Sequence, residues 1–305
     1  MKDIRDIAAS PRTLHLGITL SRLMPPPMGD RMAWLAAGLI ARLKPRVFEI
    51  VLTNLGQVLD SSGVEGKSLE QVARQVFYTA IRSSYDLYRS LQLPHEKLLK
   101  LVEFSEQARD ITRSLLEQKI GSVIVFPHLG SFDLGGLATA AFLPDLQVLT
   151  LPDPPPGFEM VNEIRKTHGT EVTPLSPTAL RQAIKRLRRG GTVSIAGDRP
   201  VSDLDEPVPF FGRPARVPSG HVRLALKTNA VIVPAYCILC PDRKHYQMRF
   251  EEPMEMIRTG DREQDVQVNM RRVLDALEGI IRRWPGQWQM FVPVWPKLLE
   301  AGNET

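Results

Sequence analysis

A chain of 305 residues with 43% apolar residues is long enough for one or two domains around a large core. Two cysteines exclude a disulfide framework, and a charged fraction of 24% excludes disordered or fibrous classes. The net charge of +5 favours an anionic partner such as a phospholipid surface, nucleic acid, or the phosphate of CoA or an acyl carrier.

No stretch reaches the roughly 18 to 20 continuous apolar residues needed to span a bilayer. Met1 to Leu20 carries Asp3 and Asp6 with no long apolar run, so a signal peptide is not expected and the chain is placed on the cytoplasmic side. Pro25-Pro26-Pro27 breaks the chain ahead of Met32 to Leu43, an apolar helix flanked by Arg31, Arg42, Lys44 and Arg46. Such a helix fits the membrane interface, with cations at the headgroups, as well as it fits packing on the protein's own core. Leu69 to Leu91 and Glu96 to Lys119 follow with helical periodicity.

After Lys119 the pattern changes. Short β-rich runs at Val123 to Phe126, Leu146 to Leu151, Thr192 to Ala196 and Val231 to Leu239 alternate with helical stretches. Those stretches are Leu134 to Phe142, Phe158 to His168, Pro177 to Arg189 and Gly220 to Thr228, and a long amphipathic helix covers Arg262 to Trp284. The alternation predicts an α/β fold with a mainly parallel or mixed sheet covered by helices. One domain is expected over residues 1–305, with a helical, membrane-facing part at 1–119 and an α/β catalytic core at 120–300. Cys237 and Cys240 fall three apart on a predicted strand, where they face opposite ways and read as buried thiols.

The most informative segment is His128-Leu-Gly-Ser-Phe-Asp133, between a buried strand and an apolar helix. A helical spacing of five would hold the two side chains about 140° apart, so they meet only if the chain turns, and Gly130 permits the turn. A neutral imidazole oriented by a carboxylate is a competent base toward a hydroxyl group. Two further stations lie downstream. Asp198 and Arg199 follow the strand Thr192 to Ala196, at the strand end where open α/β sheets bind ligands. The loop Val208 to Gly220 is stiffened by Pro209, Pro214 and Pro218 and carries Phe210, Phe211, Gly212, Arg213 and Arg216. Ser219 is placed there as an N-cap. This loop reads either as a cleft rim for an acyl chain and a phosphate or as a packed crossover. No phosphate-binding loop, dinucleotide fingerprint or metal-spaced ligand set is present, so no metal and no resident cofactor are expected. Scattered basic residues without interleaved aromatics argue against nucleic acid.

Taken in order, these stations resemble the bacterial lipid A biosynthesis (lauroyl/myristoyl) acyltransferases and the related phosphatidylinositol mannoside acyltransferases. The likeness runs from about Arg46 to Pro296. It includes His128 to Gly136, Asn162-Glu-Ile-Arg165 with Gly169, Gly197-Asp-Arg-Pro200, Phe210 to Gly220, and a closing Trp284-Pro-Gly-Gln-Trp-Gln-Met-Phe-Val-Pro-Val-Trp-Pro296. The resemblance implies a glycerolipid-acyltransferase-like fold and O-acyl transfer from acyl-CoA or acyl carrier protein to a glycolipid hydroxyl. It makes His128 the general base and Asp133 the residue that orients it. Asp198, Arg199, Arg165 and the loop Phe210 to Gly220 fall to the substrate, and the Gly130 and Ser131 amides are the oxyanion candidates. Asp133 stands where the lipid A enzymes usually carry Glu, which leaves a mannoside-type or other glycolipid acceptor equally open. The expected setting is the cytoplasmic face of the inner membrane, held peripherally or by an interfacial helix on an anionic surface. The alternatives are a thioesterase using the same pair, and a membrane-surface binding protein whose site has decayed.

Overall fold

The computed structural model describes residues 11–59, 66–90, 100–143, 145–152, 171–201, 205–296 and 298. The first third is helical: α1 (Pro11–Leu23), α2 (Pro26–Leu43), α3 (Arg46–Val58) and α4 (Leu69–Ser90). The proline run does not merely break the chain; Pro26 and Pro27 occupy the first turn of α2, where a missing N–H costs nothing and a fixed φ favours the helix. Lys44, left-handed at φ 44°, ends α2, and Pro45 leads directly into α3. Helix α3 buries Phe48, Val51, Leu55 and Val58. Helix α4 is held by a buried polar chain: Arg82 pairs with Asp86 at 2.8 Å and with Asp30 at 2.8 Å, and the Tyr246 hydroxyl donates to Asp86 at 2.8 Å.

Residues 100–250 build the sheet. Its strands are β1 (Val102–Phe104), β2 (Ser122–Phe126), β3 (Leu146–Thr150), β4 (Glu171–Pro174), β5 (Thr192–Ala196), β8 (Val231–Leu239) and β9 (Tyr246–Phe250), in the order β1-β9-β8-β2-β5-β3-β4. All neighbours are parallel except β8 and β9. A separate hairpin joins β6 (Val208–Phe210) to β7 (Arg213–Ala215). Helices α5 (Glu106–Glu117), α6 (Phe132–Phe142), α7 (Pro177–Arg188), α8 (Gly220–Thr228) and α9 (Arg262–Arg283) pack around them.

The expected α/β class and mostly parallel sheet are therefore present. The single helix expected over Glu96 to Lys119 is interrupted, because Val102-Glu103-Phe104 alternates buried, exposed, buried and pairs with β9. Ser105 then restarts a helix by accepting the Ala108 N–H at 3.2 Å, a side-chain N-cap. The predicted helix Phe158 to His168 lies outside the described residues. Buried residues of α2, α3 and α4 join those of the sheet in one contiguous apolar cluster. No helix among the described residues is long and apolar enough to cross a membrane.

Candidate active site

The centre of the sheet fixes the site by register. Phe126 and Ala196, the last residues of β2 and β5, lie side by side. The residues two places beyond each strand, His128 and Asp198, therefore emerge together at the carboxyl edge, where α/β sheets hold their ligands. The His128 Nδ1 and Asp198 Oδ1 atoms are 2.7 Å apart, and the His128 backbone N–H donates to Asp198 Oδ2 at 2.8 Å. A third donor, Trp288 Nε1–H, reaches Oδ2 at 2.8 Å. Asp198 is fully buried while the His128 side chain is 19% exposed. A carboxylate taken out of water is tolerable only when its oxygens are satisfied, and here three N–H groups do so.

This arrangement fixes the imidazole. The carboxylate requires the proton on Nδ1, which leaves the Nε2 lone pair outward. Among the described residues no hydrogen bond engages Nε2. Phe132 meets the ring edge-on at a centroid distance of 5.4 Å, and Phe126 lies 6.4 Å away. Both phenyl groups also line an apolar cavity between α6 and the sheet, with Asp133, Gly136, Leu146 and Val148 in its wall.

The turn that carries His128 is clamped by the segment after α9. The Gly130 N–H donates to the Gln287 carbonyl at 2.8 Å, the Gln289 N–H donates to the His128 carbonyl at 2.7 Å, and the Ser131 N–H donates to the Cys237 carbonyl at 2.8 Å. Gly130 has φ +61°, and a Cβ there would lie 2.0 Å from the Cys237 oxygen. The residue must therefore be glycine on both conformational and steric grounds.

Several sequence expectations change. Asp198, not Asp133, makes the Nδ1 bond; Asp133 sits in the first turn of α6 at the cavity wall, close enough to Tyr88 to join burial in raising its phenol to about 12. Asp198 was expected at the substrate, yet it is enclosed and spends both oxygens on the protein. The Gly130 and Ser131 amides are likewise occupied and cannot serve an oxyanion. Phe210 is fully buried and Phe211 nearly so, stacked among Trp288 and Trp295 rather than lining a cleft. The Phe211 N–H donates to the buried Glu278 at 2.8 Å. Phe211 and Gly212 both have positive φ, at 50° and 73°, as a two-residue hairpin turn requires. This loop braces Trp288 from behind. Ser219 precedes α8 without capping it, because its hydroxyl accepts from Arg223 Nε at 3.0 Å. Arg213 is exposed, the Arg216 guanidinium donates to the Asp205 carbonyl, and Arg199 is half-buried beside Asp198. Arg165 lies outside the described residues.

In the sequence, Gln287, Trp288 and Gln289 stand only within the closing motif. Their roles as donor to Asp198 and as clamps of the turn that carries His128 are not legible there beyond one signal, an amide- and Trp-rich segment in the fold's last stretch. Cys237 and Cys240 are buried free thiols, as read, and burial pushes both thiols up.

The sequence is similar to phosphatidylinositol mannoside acyltransferase from two strains of Mycobacterium tuberculosis, at 25% identity over 69% of this chain and 66% of theirs. It is also similar to the enzyme of that name from Mycolicibacterium smegmatis, at 26% identity over 60% of this chain and 59% of the relative. The chain thus spans slightly less than two thirds of the length of the curated relatives it matches. The pattern described as bacterial lipid A biosynthesis acyltransferase matches residues 13–297, nearly the whole chain, and the chain belongs to that family.

Proposed function

We propose that this protein transfers a fatty acyl group from an acyl thioester to a hydroxyl of a membrane glycolipid, with His128 as general base. The observation that carries the reading is the buried Asp198 carboxylate holding His128 Nδ1 at 2.7 Å while the imidazole stays 19% exposed and no described residue hydrogen-bonds Nε2. A base so oriented suits a neutral alcohol. Nε2 takes the hydroxyl proton as the oxygen attacks the thioester carbonyl carbon, giving a tetrahedral oxyanion. Its collapse breaks the carbon–sulfur bond, and the imidazolium returns the proton to the departing thiol. No covalent acyl-enzyme is needed, since the cysteines are buried and raised.

With Gly130 and Ser131 engaged, the oxyanion falls to the first turn of α6, which no side chain caps and whose amides favour negative charge. The apolar cavity flanked by Phe126 and Phe132 suits the start of an acyl chain, and Asp133 in its wall stands on the substrate side. The donor is acyl-CoA or an acyl carrier protein. Acceptors of the phosphatidylinositol mannoside or lipid A precursor kind fit the family and the relatives' names. The setting is the cytoplasmic face of the plasma membrane, and the exposed leucines and methionines of α1 and α2 support peripheral attachment.

The test is thiol release from palmitoyl-CoA and from an acyl carrier thioester, with and without a glycolipid extract. The wild type is expected to release thiol only with lipid present, and His128→Ala should lose roughly 10²–10⁴-fold. Release that ignores the lipid would replace the reading with a thioesterase, and near-normal activity in His128→Ala would remove the base.

A further inference from the structure

A second cavity, of about 620 Å³, opens between α2, α4 and the segment after α9. Among the described residues its walls carry four cations, Lys67, Arg74, Arg243 and Arg283, and the indoles of Trp34 and Trp284, with no aspartate or glutamate among those lining residues. The guanidinium of Arg74 lies 4.4 Å over Trp34, and that of Arg243 lies 5.0 Å over Tyr78. These contacts position the two guanidinium groups without neutralising them. Among the described residues neither arginine has a carboxylate partner. Glu251 pairs with Arg283 of the wall itself, while Asp30 is taken by Tyr78 and Arg82 and Glu70 by Lys44, so Arg74 and Arg243 are the guanidinium groups left uncompensated among the described residues. In the same wall, the Trp284 indole N–H is buried with no hydrogen-bond partner among the described residues.

The cleft also borders an apolar ridge. Met28, Met32, Leu35, Leu39 and Leu43 are all exposed on α2, at spacings of three and four that gather them on one face. Trp34 stands half-exposed between that ridge and the cations. Cations that favour phosphate oxygens, next to a surface that favours hydrocarbon, match one amphiphile. We propose that this cleft binds the phosphate of an anionic membrane lipid headgroup, while the α2 ridge enters the adjoining acyl layer. Gln287 lines the cleft and its carbonyl clamps Gly130, so the bound headgroup would sit against the segment that holds the catalytic turn. The inference rests on the membrane-surface part of the proposed function and not on its chemistry.

The experiment is vesicle co-sedimentation of the full chain with phosphatidylcholine alone and with phosphatidylcholine containing phosphatidylglycerol. The wild type is expected to prefer the anionic vesicles. The Arg74→Gln/Arg243→Gln variant should bind them about tenfold to thirtyfold more weakly, with Arg243→Gln alone in between. Lys185→Gln/Arg188→Gln, which removes equal charge from the exposed face of α7, should bind like the wild type. His128→Ala should bind normally too, which separates this outcome from the fate of the catalytic reading. Equal losses in both double variants would assign binding to diffuse charge and overturn the site. So would equal wild-type binding to neutral vesicles. Normal vesicle binding with a raised KM for acyl-CoA would give the cleft to the thioester donor instead.

Discussion

The chemistry of the site turns on one carboxylate that the protein has removed from water. Asp198 accepts from the His128 ring, the His128 backbone and Trp288, so its charge orients the imidazole instead of meeting substrate. Trp288→Phe keeps the ring packed against Phe211 but deletes one donor to a buried oxygen. The expected cost is about 1–3 kcal/mol of stability, read by urea unfolding, with kcat reduced about tenfold and KM little changed. A larger effect on KM than on kcat would place Trp288 at the substrate. The position of His128 was legible in the sequence, because a histidine leaving a buried strand toward an apolar helix is recognisable. Its partner was not. Asp133 lies five residues away and Asp198 lies seventy, and only the in-register pairing of β2 with β5 reveals which carboxylate arrives.

At the scale of elements, the turn that carries His128 is set between β8 on one side and the Gln287–Gln289 segment on the other. Gly130→Ala forces a left-handed alanine and presses its Cβ against the Cys237 carbonyl. The expected loss is about 2–3 kcal/mol, which corresponds to a fall in melting temperature of roughly 5 °C, and activity should fall with it as His128 shifts. An unchanged melting temperature would mean that the turn is not clamped as described. The long apolar strands β2, β5 and β8 and the amphipathic helices were readable from periodicity. The three-residue strands β1, β6 and β7 were not: β1 is decided by its distant partner β9, and β6 and β7 are too short and proline-bearing for alternation to show, although they pair with each other across a tight turn. The loop Val208 to Gly220 could be read as cleft rim or packed crossover; Phe210 and Phe211 stacking on Trp288 and Trp295 decide for packing.

Across the whole molecule, the buried core carries its own pH dependence. His221 is buried beside Gly197, and loss of solvation lowers its pKa from the ordinary 6.5 to about 4. The unfolded chain binds the proton first on acidification, so stability is complete above pH 6.5 and is lost as pH falls toward 4. The contribution approaches about 3 kcal/mol. Denaturant unfolding between pH 7 and pH 4.5 should show this slope, and His221→Leu should flatten it; equal slopes would remove His221 as its source. The leucines and methionines of α1 and α2 are exposed, and the sequence alone allows such a helix either the membrane interface or packing on the core. The structure turns a row of these side chains to solvent while burying Gly29, Ala33 and Ala37 against the rest of the fold. The central claim is that Asp198 activates His128 for acyl transfer, and the most direct test is the glycolipid-dependent kcat of Asp198→Asn beside its melting temperature. An asparagine amide in that place would reverse the hydrogen bond to Nδ1 and put the proton on Nε2, so kcat should fall at least about 100-fold in a protein that still folds. A folded Asp198→Asn enzyme with kcat within about threefold of the wild type would contradict the account.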